Sequence, residues 1–222
     1  MRKRLFRPAI ISLLVLICVA GCGRKSSFDP AEYVKGSMDV LYKKTCSDAY
    51  RGMLSEELSQ EEIDSVYEQG LDFEVNYFMD VFQITDDSEQ LRQKAKSLYG
   101  ALYEKSRYEM GNVVENNNAY EVDVIIHPID TIIALLESDA KVYAEQFSSR
   151  AYQGEFDNST EEEFEKIWAE GILELFEQRC SSVGYLDPVT ITIRVEKNAE
   201  GLFEISEGDF EKIDTHIIAY EK

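Results

Sequence analysis

The residues of this 222-residue chain with side chains suited to acid–base, nucleophilic or metal chemistry are 2 histidines, 4 cysteines and 43 carboxylates. His127 closes an alternating apolar run and His216 lies near the C-terminus. Neither has a partner at metal-ligand spacing, so a zinc site or a histidine-based triad is not expected. Nucleophile elbows, phosphate loops and helix-loop-helix calcium loops are likewise missing from the sequence. Ser138-Asp139-Ala140-Lys141 has the Ser-x-x-Lys spacing of an acylated nucleophile and its base. Its companion motifs are absent, and it reads as an exposed helix face. Carboxylates are so abundant that any fold brings some pairs to the separations used in glycoside hydrolysis, which empties that observation of information. Glu161-Glu162-Glu163 favours the positive end of a helix, and Asp86-Asp87 marks a turn and cap. No catalytic residue, cofactor or metal is assigned on these grounds.

The cysteines are more informative. Arg2, Lys3, Arg4 and Arg7 precede an apolar run from Ile10 to Ala20, which ends in Val19-Ala20-Gly21-Cys22. This is the tripartite layout of a secretory signal. The run is roughly a dozen residues, short of the about 20 that cross a bilayer, so residues 1–21 read as a processed signal peptide. Val19-Ala20-Gly21-Cys22 resembles the lipobox of bacterial lipoproteins. That resemblance implies a diacylglyceryl group on the Cys22 sulfur, and two acyl chains hold a protein stably where one is marginal. Residues 22–28 then form a lipidated tether, with Gly23 to Phe28 reaching at most about 20 Å. Cys18 leaves with the leader, so Cys46 and Cys180 remain. An oxidising exterior permits one disulfide between them, and spacing alone leaves the pairing open.

Charge narrows the partners. The chain carries 23 Lys+Arg against 43 Asp+Glu, a formal net charge of −20, and its leader charges are all basic. The remainder is more acidic still, and such a surface repels nucleic acid and anionic membrane alike. The domain is expected to stand on its tether, with membrane contact made through the lipid and with a protein or small-molecule ligand of unspecified kind. Disorder is expected only in the tether and around Gly154 to Ser159.

Hydropathy supplies the elements. Asp29-Pro30-Ala31-Glu32 reads as a capped helix start, with Val34, Met38, Leu41 and Tyr42 at helical spacing. A short helix follows over 47–54. Ser59 with Glu62 opens a long one, and another spans 88–106. At Tyr108 the period becomes two: Tyr120, Val122, Val124 and Ile126 alternate with polar residues, and Tyr108 to Glu115 is the hairpin partner across Asn116-Asn117-Asn118. Pro128 ends that strand and opens a helix from Ile129 to about Tyr152. Thr160 with Glu163 repeats the capping box. Val189 to Val195 is a third strand, returned by a turn at Asn198 to Gly201 through Leu202 to Ile205. A short helix at Gly208 to Ile213 and an extended end from His216 to Tyr220 finish the chain.

An offset of 101 residues sets Ser59 on Thr160, Glu62 on Glu163, Tyr67 on Trp168 and Gly70 on Gly171. Helix, helix, hairpin thus occurs twice, over 29–127 and 128–222. Duplication of a module enclosing a groove and shared cap logic between two amphipathic helices both account for the match. Mid-helix glycine costs about 1 kcal/mol relative to alanine, so Gly70 and Gly171 point to close passage of another helix or strand. With Tyr67 and Trp168 they are also the candidates for lining a ligand groove.

The lipobox, the short tether, the acidic helical body and the paired hairpins, with Asp187-Pro188-Val189-Thr190-Ile191-Thr192-Ile193 and Gly201-Leu202-Phe203-Glu204-Ile205 near the end, resemble small surface lipoproteins of unknown function from Gram-positive bacteria. The Gly-x-aromatic-x-Ile ending has a weaker likeness to the cone-shaped fold of nuclear transport factor 2. The expected fold is an α+β domain over 29–222, mainly helical, with two antiparallel β-hairpins joining in one sheet under helices. The first functional reading is a lipid-anchored, extracytoplasmic, non-catalytic binding module, and the alternative is an envelope hydrolase using paired carboxylates.

Overall fold

A computed structural model of the protein describes residues 28–117 and 119–221. They form two compact units. Unit one takes the described residues up to Gly70 together with 106–128 and 187–217, and unit two takes 71–105, 129–186 and the residues from Ile218 onward. Each unit draws on both 29–127 and 128–222, so compactness does not follow the two sequence halves.

Unit one begins with α1 (Pro30–Lys43), capped by the Asp29 carboxylate, which accepts the Ala31 and Glu32 N–H groups at 3.0 and 3.1 Å. Glu32 stands where a capping box would use it. It instead accepts the Ser47 hydroxyl at 2.6 Å, and Ser47 caps the short α2 (Asp48–Arg51). The Ser59 and Glu62 box ahead of α3 (Gln60–Phe82) does close, with the Ser59 N–H reaching the Glu62 carboxylate at 2.8 Å and the Glu62 N–H reaching Ser59 Oγ at 3.3 Å.

All four strands of unit one join in one antiparallel sheet of order β1 (Arg107–Asn116), β2 (Ala119–His127), β3 (Val189–Lys197), β4 (Phe203–Ile205). The two expected hairpins are therefore one sheet. Asn117 takes the left-handed backbone that its type tolerates, at φ 51°. Register pairs Val122 with Ile193 and Tyr120 with Val195, so Val122, Val124, Ile126, Ile193, Val195 and Ile205 share the buried face. Against it pack α1 and the last helix, α8 (Glu207–Ile217). Each such aliphatic side chain contributes about 1.5–3 kcal/mol by leaving water. The terminal helix is longer than the 208–213 expected, because Phe210, Ile213 and Ile217 are all buried on one stripe and Ser206 caps Asp209 reciprocally at 2.9 and 3.2 Å. His216 therefore lies in a helix where an extended end was expected.

Unit two is helical. Residues 71–82 of α3 pack with α4 (Glu89–Glu104) and α7 (Glu161–Cys180) through the rings of Phe78, Tyr99 and Phe176, whose centroids lie 5.0–6.0 Å apart. The 129–152 stretch is not the single helix expected. Ile129 forms bridges with Tyr185 and Ile218, and its carbonyl accepts the Ala219 N–H at 2.9 Å, which holds the chain extended there. Helix then follows as α5 (Thr131–Ala134), a π turn (Leu135–Asp139) and α6 (Ala140–Tyr152). The 154–159 loop, expected to be loose, is pinned: Phe156 packs on Phe147 and Phe164 at 4.9 and 5.3 Å, and Arg150 pairs with Glu155 at 2.6 Å. Among the described residues no helix is long and apolar enough to cross a membrane.

Candidate functional site

Cys22, the residue with the most specific sequence signal, lies outside the described residues. The four groove candidates fall in different units: Tyr67 and Gly70 in unit one, Trp168 and Gly171 in unit two. Tyr67 is half-buried with the Lys44 ammonium 5.7 Å from its ring centroid, and Gly70 is buried. Trp168 donates its indole N–H to the Phe82 carbonyl at 3.0 Å and stacks on Tyr143 at 5.3 Å. Gly171 is explained by the same tyrosine. A Cβ there would come within 2.1 Å of the Tyr143 hydroxyl, which donates to the Ile167 carbonyl at 3.0 Å. A side chain crosses this glycine, where passage of a helix or strand was expected.

Cys46 and Cys180 are both free thiols, Cys46 half-buried in unit one and Cys180 buried in unit two. The disulfide that the sequence left open is not formed in this structure. Burial raises both thiols, Cys180 to about 12, while Arg51 partly offsets the effect at Cys46. A thiol raised in this way is a weaker nucleophile at neutral pH, and the buried Cys180 is shielded from solvent as well.

The groove that unit two itself forms runs between α4 and α7. It encloses about 470 Å³ over a floor of Leu91 and Leu173, with Lys94, Lys166, Glu170 and Glu177 along its rim. Lys94 pairs with Glu177 at 2.9 Å, and Lys166 lies 3.9 Å from Glu170. Asp86, Glu162 and Glu174 also line the groove, so a mainly acidic rim with two lysines surrounds an apolar floor, a lining suited to a polar ligand. The motif search missed this groove because one turn of Leu91 and Lys94 and one turn of Leu173 and Glu177 read as ordinary amphipathic helix.

Sequence reasoning also missed a buried polar cluster. Glu74 is 1% exposed and accepts the hydroxyls of Tyr103 at 3.0 Å and Tyr220 at 2.8 Å, while Tyr220 and Tyr99 share a 2.6 Å hydrogen bond. Its signal in the sequence was a glutamate between Leu71, Val75 and Phe78 on an apolar stripe. The cluster ties the C-terminal residues to α3 and α4 within unit two, and its hydroxyls supply what a buried carboxylate needs. Ser138 of the Ser-x-x-Lys tetrad is structural as well: its hydroxyl donates to the Ala134 carbonyl at 2.6 Å and accepts from Arg179 at 3.1 Å.

No protein-family model matches this sequence, and no curated protein sequence matches it. Among solved structures it resembles a "putative lipoprotein (ycdA)" from Bacillus subtilis, with a TM-score of 0.52 and 13% sequence identity. The match covers 85% of this chain and 55% of that one, so this chain spans little more than half the length of its structural neighbour. At that identity the likeness concerns the fold alone.

Proposed function

We propose that this protein is a lipoprotein anchored through Cys22 at the extracytoplasmic face of the cell membrane, where it acts as a non-catalytic binding module. Val19-Ala20-Gly21-Cys22, placed after a basic segment and an apolar run too short to span, carries the reading. The fold likeness to a Bacillus subtilis protein described as a "putative lipoprotein" supports it. The α4–α7 groove gives such a module a surface for a ligand, with an apolar floor of Leu91 and Leu173 under Lys94, Lys166 and a rim of carboxylates.

Replacement of Cys22 tests the reading. Cys22→Ala is expected to accumulate as a full-length, unlipidated precursor, seen by intact mass and by loss of acyl label. Normal cleavage before residue 22 with retention in the membrane would contradict it.

A further inference from the structure

The groove between α4 and α7 carries a charge pattern that narrows its ligand. Five carboxylates line it, those of Asp86, Glu162, Glu170, Glu174 and Glu177, against two lysines. Both lysines are already engaged. Lys94 reaches across from α4 to Glu177 at 2.9 Å, and Lys166 lies 3.9 Å from Glu170, one turn further along α7. Glu162 and Glu174 have no ion-pair or hydrogen-bond partner among the described residues. Asp86 accepts the Ser88 N–H at 2.9 Å, a neutral donor. Three carboxylates thus stand uncompensated by any cation of the groove, around a space of about 470 Å³.

The layout of these charges decides which cation they suit. Glu162, Glu170, Glu174 and Glu177 follow one another on one side of α7, a row of about 22 Å at 1.5 Å per residue. A row does not surround a point charge, and among the described residues no three acidic, histidine or cysteine side chains converge to hold a metal ion. At the base of the groove Leu91 and Leu173 offer an apolar contact, which a hydrated ion leaves unused and a methylene segment covers. The two lysines show the fit from within. Each sets an ammonium beside a carboxylate of this lining at the end of an aliphatic stem. An anion would instead meet the repulsion of the three uncompensated carboxylates.

Given that this groove is the module's ligand surface, we infer that it takes an extended aliphatic polyamine. The ammonium groups lie along the carboxylate row of α7, and the methylene segments between them lie over Leu91 and Leu173.

Calorimetric titration of the full chain, held in non-ionic detergent, with spermidine provides the test. Salt at about 0.15 M screens exposed charges more than about 8 Å apart, so that diffuse attraction to an acidic surface is suppressed. Glu162→Gln/Glu174→Gln removes two charges from the groove, and Glu56→Gln/Glu57→Gln removes two from exposed positions of unit one. The groove pair is expected to weaken spermidine binding about 5- to 30-fold and the control pair less than about twofold. Equal weakening by both pairs would overturn the polyamine site, since general acidity would then hold the cation. Citrate, a trianion, separates this claim from the reading beneath it. Citrate binding that is lost in Lys94→Ala/Lys166→Ala, with no binding of spermidine, refutes the polyamine and keeps the groove as a ligand surface. A chain that binds neither refutes the polyamine and removes the groove from the proposed function, while anchoring at Cys22 is decided separately by Cys22→Ala.

Discussion

Burial governs Cys46 and Cys180, the two cysteines among the described residues. A Cys180 thiol pushed up to about 12 leaves on the order of one molecule in ten thousand as thiolate at pH 8, and the buried sulfur is also shielded from reagents. Cys46 is half-exposed, and its thiol is raised with Arg51 opposing the effect of burial. In native, oxidised protein, Cys46 is expected to alkylate first while Cys180 resists. Unfolding without reductant should then expose two modifiable thiols by intact mass, and a pair inaccessible until reduction would establish a disulfide after all. Residue type said little about this in advance, because spacing carries no Cα separation. The same limit applied to Gly171. Its mid-helix position announced a close contact, but Tyr143 comes from a helix with no sequence mark linking the two.

Local rules were legible wherever both partners sit within a few residues of each other. The Thr160 and Glu163 box closes at 3.2 and 2.9 Å as its spacing predicts, and so does Ser59 with Glu62. Glu32 escaped the same logic because a hydroxyl fifteen positions away competes for it. The π turn (Leu135–Asp139) ends on a residue held by a still more distant partner. Arg179 on α7 clamps Asp139 through Nε at 2.5 Å and Nη2 at 2.8 Å, a contact across 40 residues. The Arg179 hydrogen bond holds the Asp139 carboxyl below its ordinary range, helped by Ser138 and opposed by partial burial. A carboxyl depressed in the folded state stabilises that state above its unfolded value, and the benefit fades as pH falls through the folded value. Arg179→Ala is therefore expected to cost about 0.5–1 kcal/mol at neutral pH, the range of a solvent-screened pair. The deficit in urea unfolding should shrink below about pH 4. A deficit unchanged down to pH 2 would place its origin in lost packing instead of charge.

At the scale of the molecule, alternation and cap signals were enough for a mainly helical α+β fold with one antiparallel sheet, since Val122, Val124 and Ile126 mark a one-sided strand on their own. How the chain distributes itself between two compact units was not legible. Ile218 bridging Ile129 and Tyr220 reaching Glu74 join residues with no local pattern in common. The ion-paired groove between α4 and α7 was hidden likewise, because each helix displays only half of it. Function follows the same division. The residues of the groove acquire meaning from the fold, whereas Cys22 and the three residues before it carry theirs in the chain. The central claim is accordingly tested on the chain: intact mass of the protein extracted from cell membranes. Anchoring predicts a polypeptide beginning at Cys22 and heavier than its sequence by a diacylglyceryl group, lost on thioether cleavage. A mature chain beginning elsewhere, or one beginning at Cys22 with no added lipid, would contradict it.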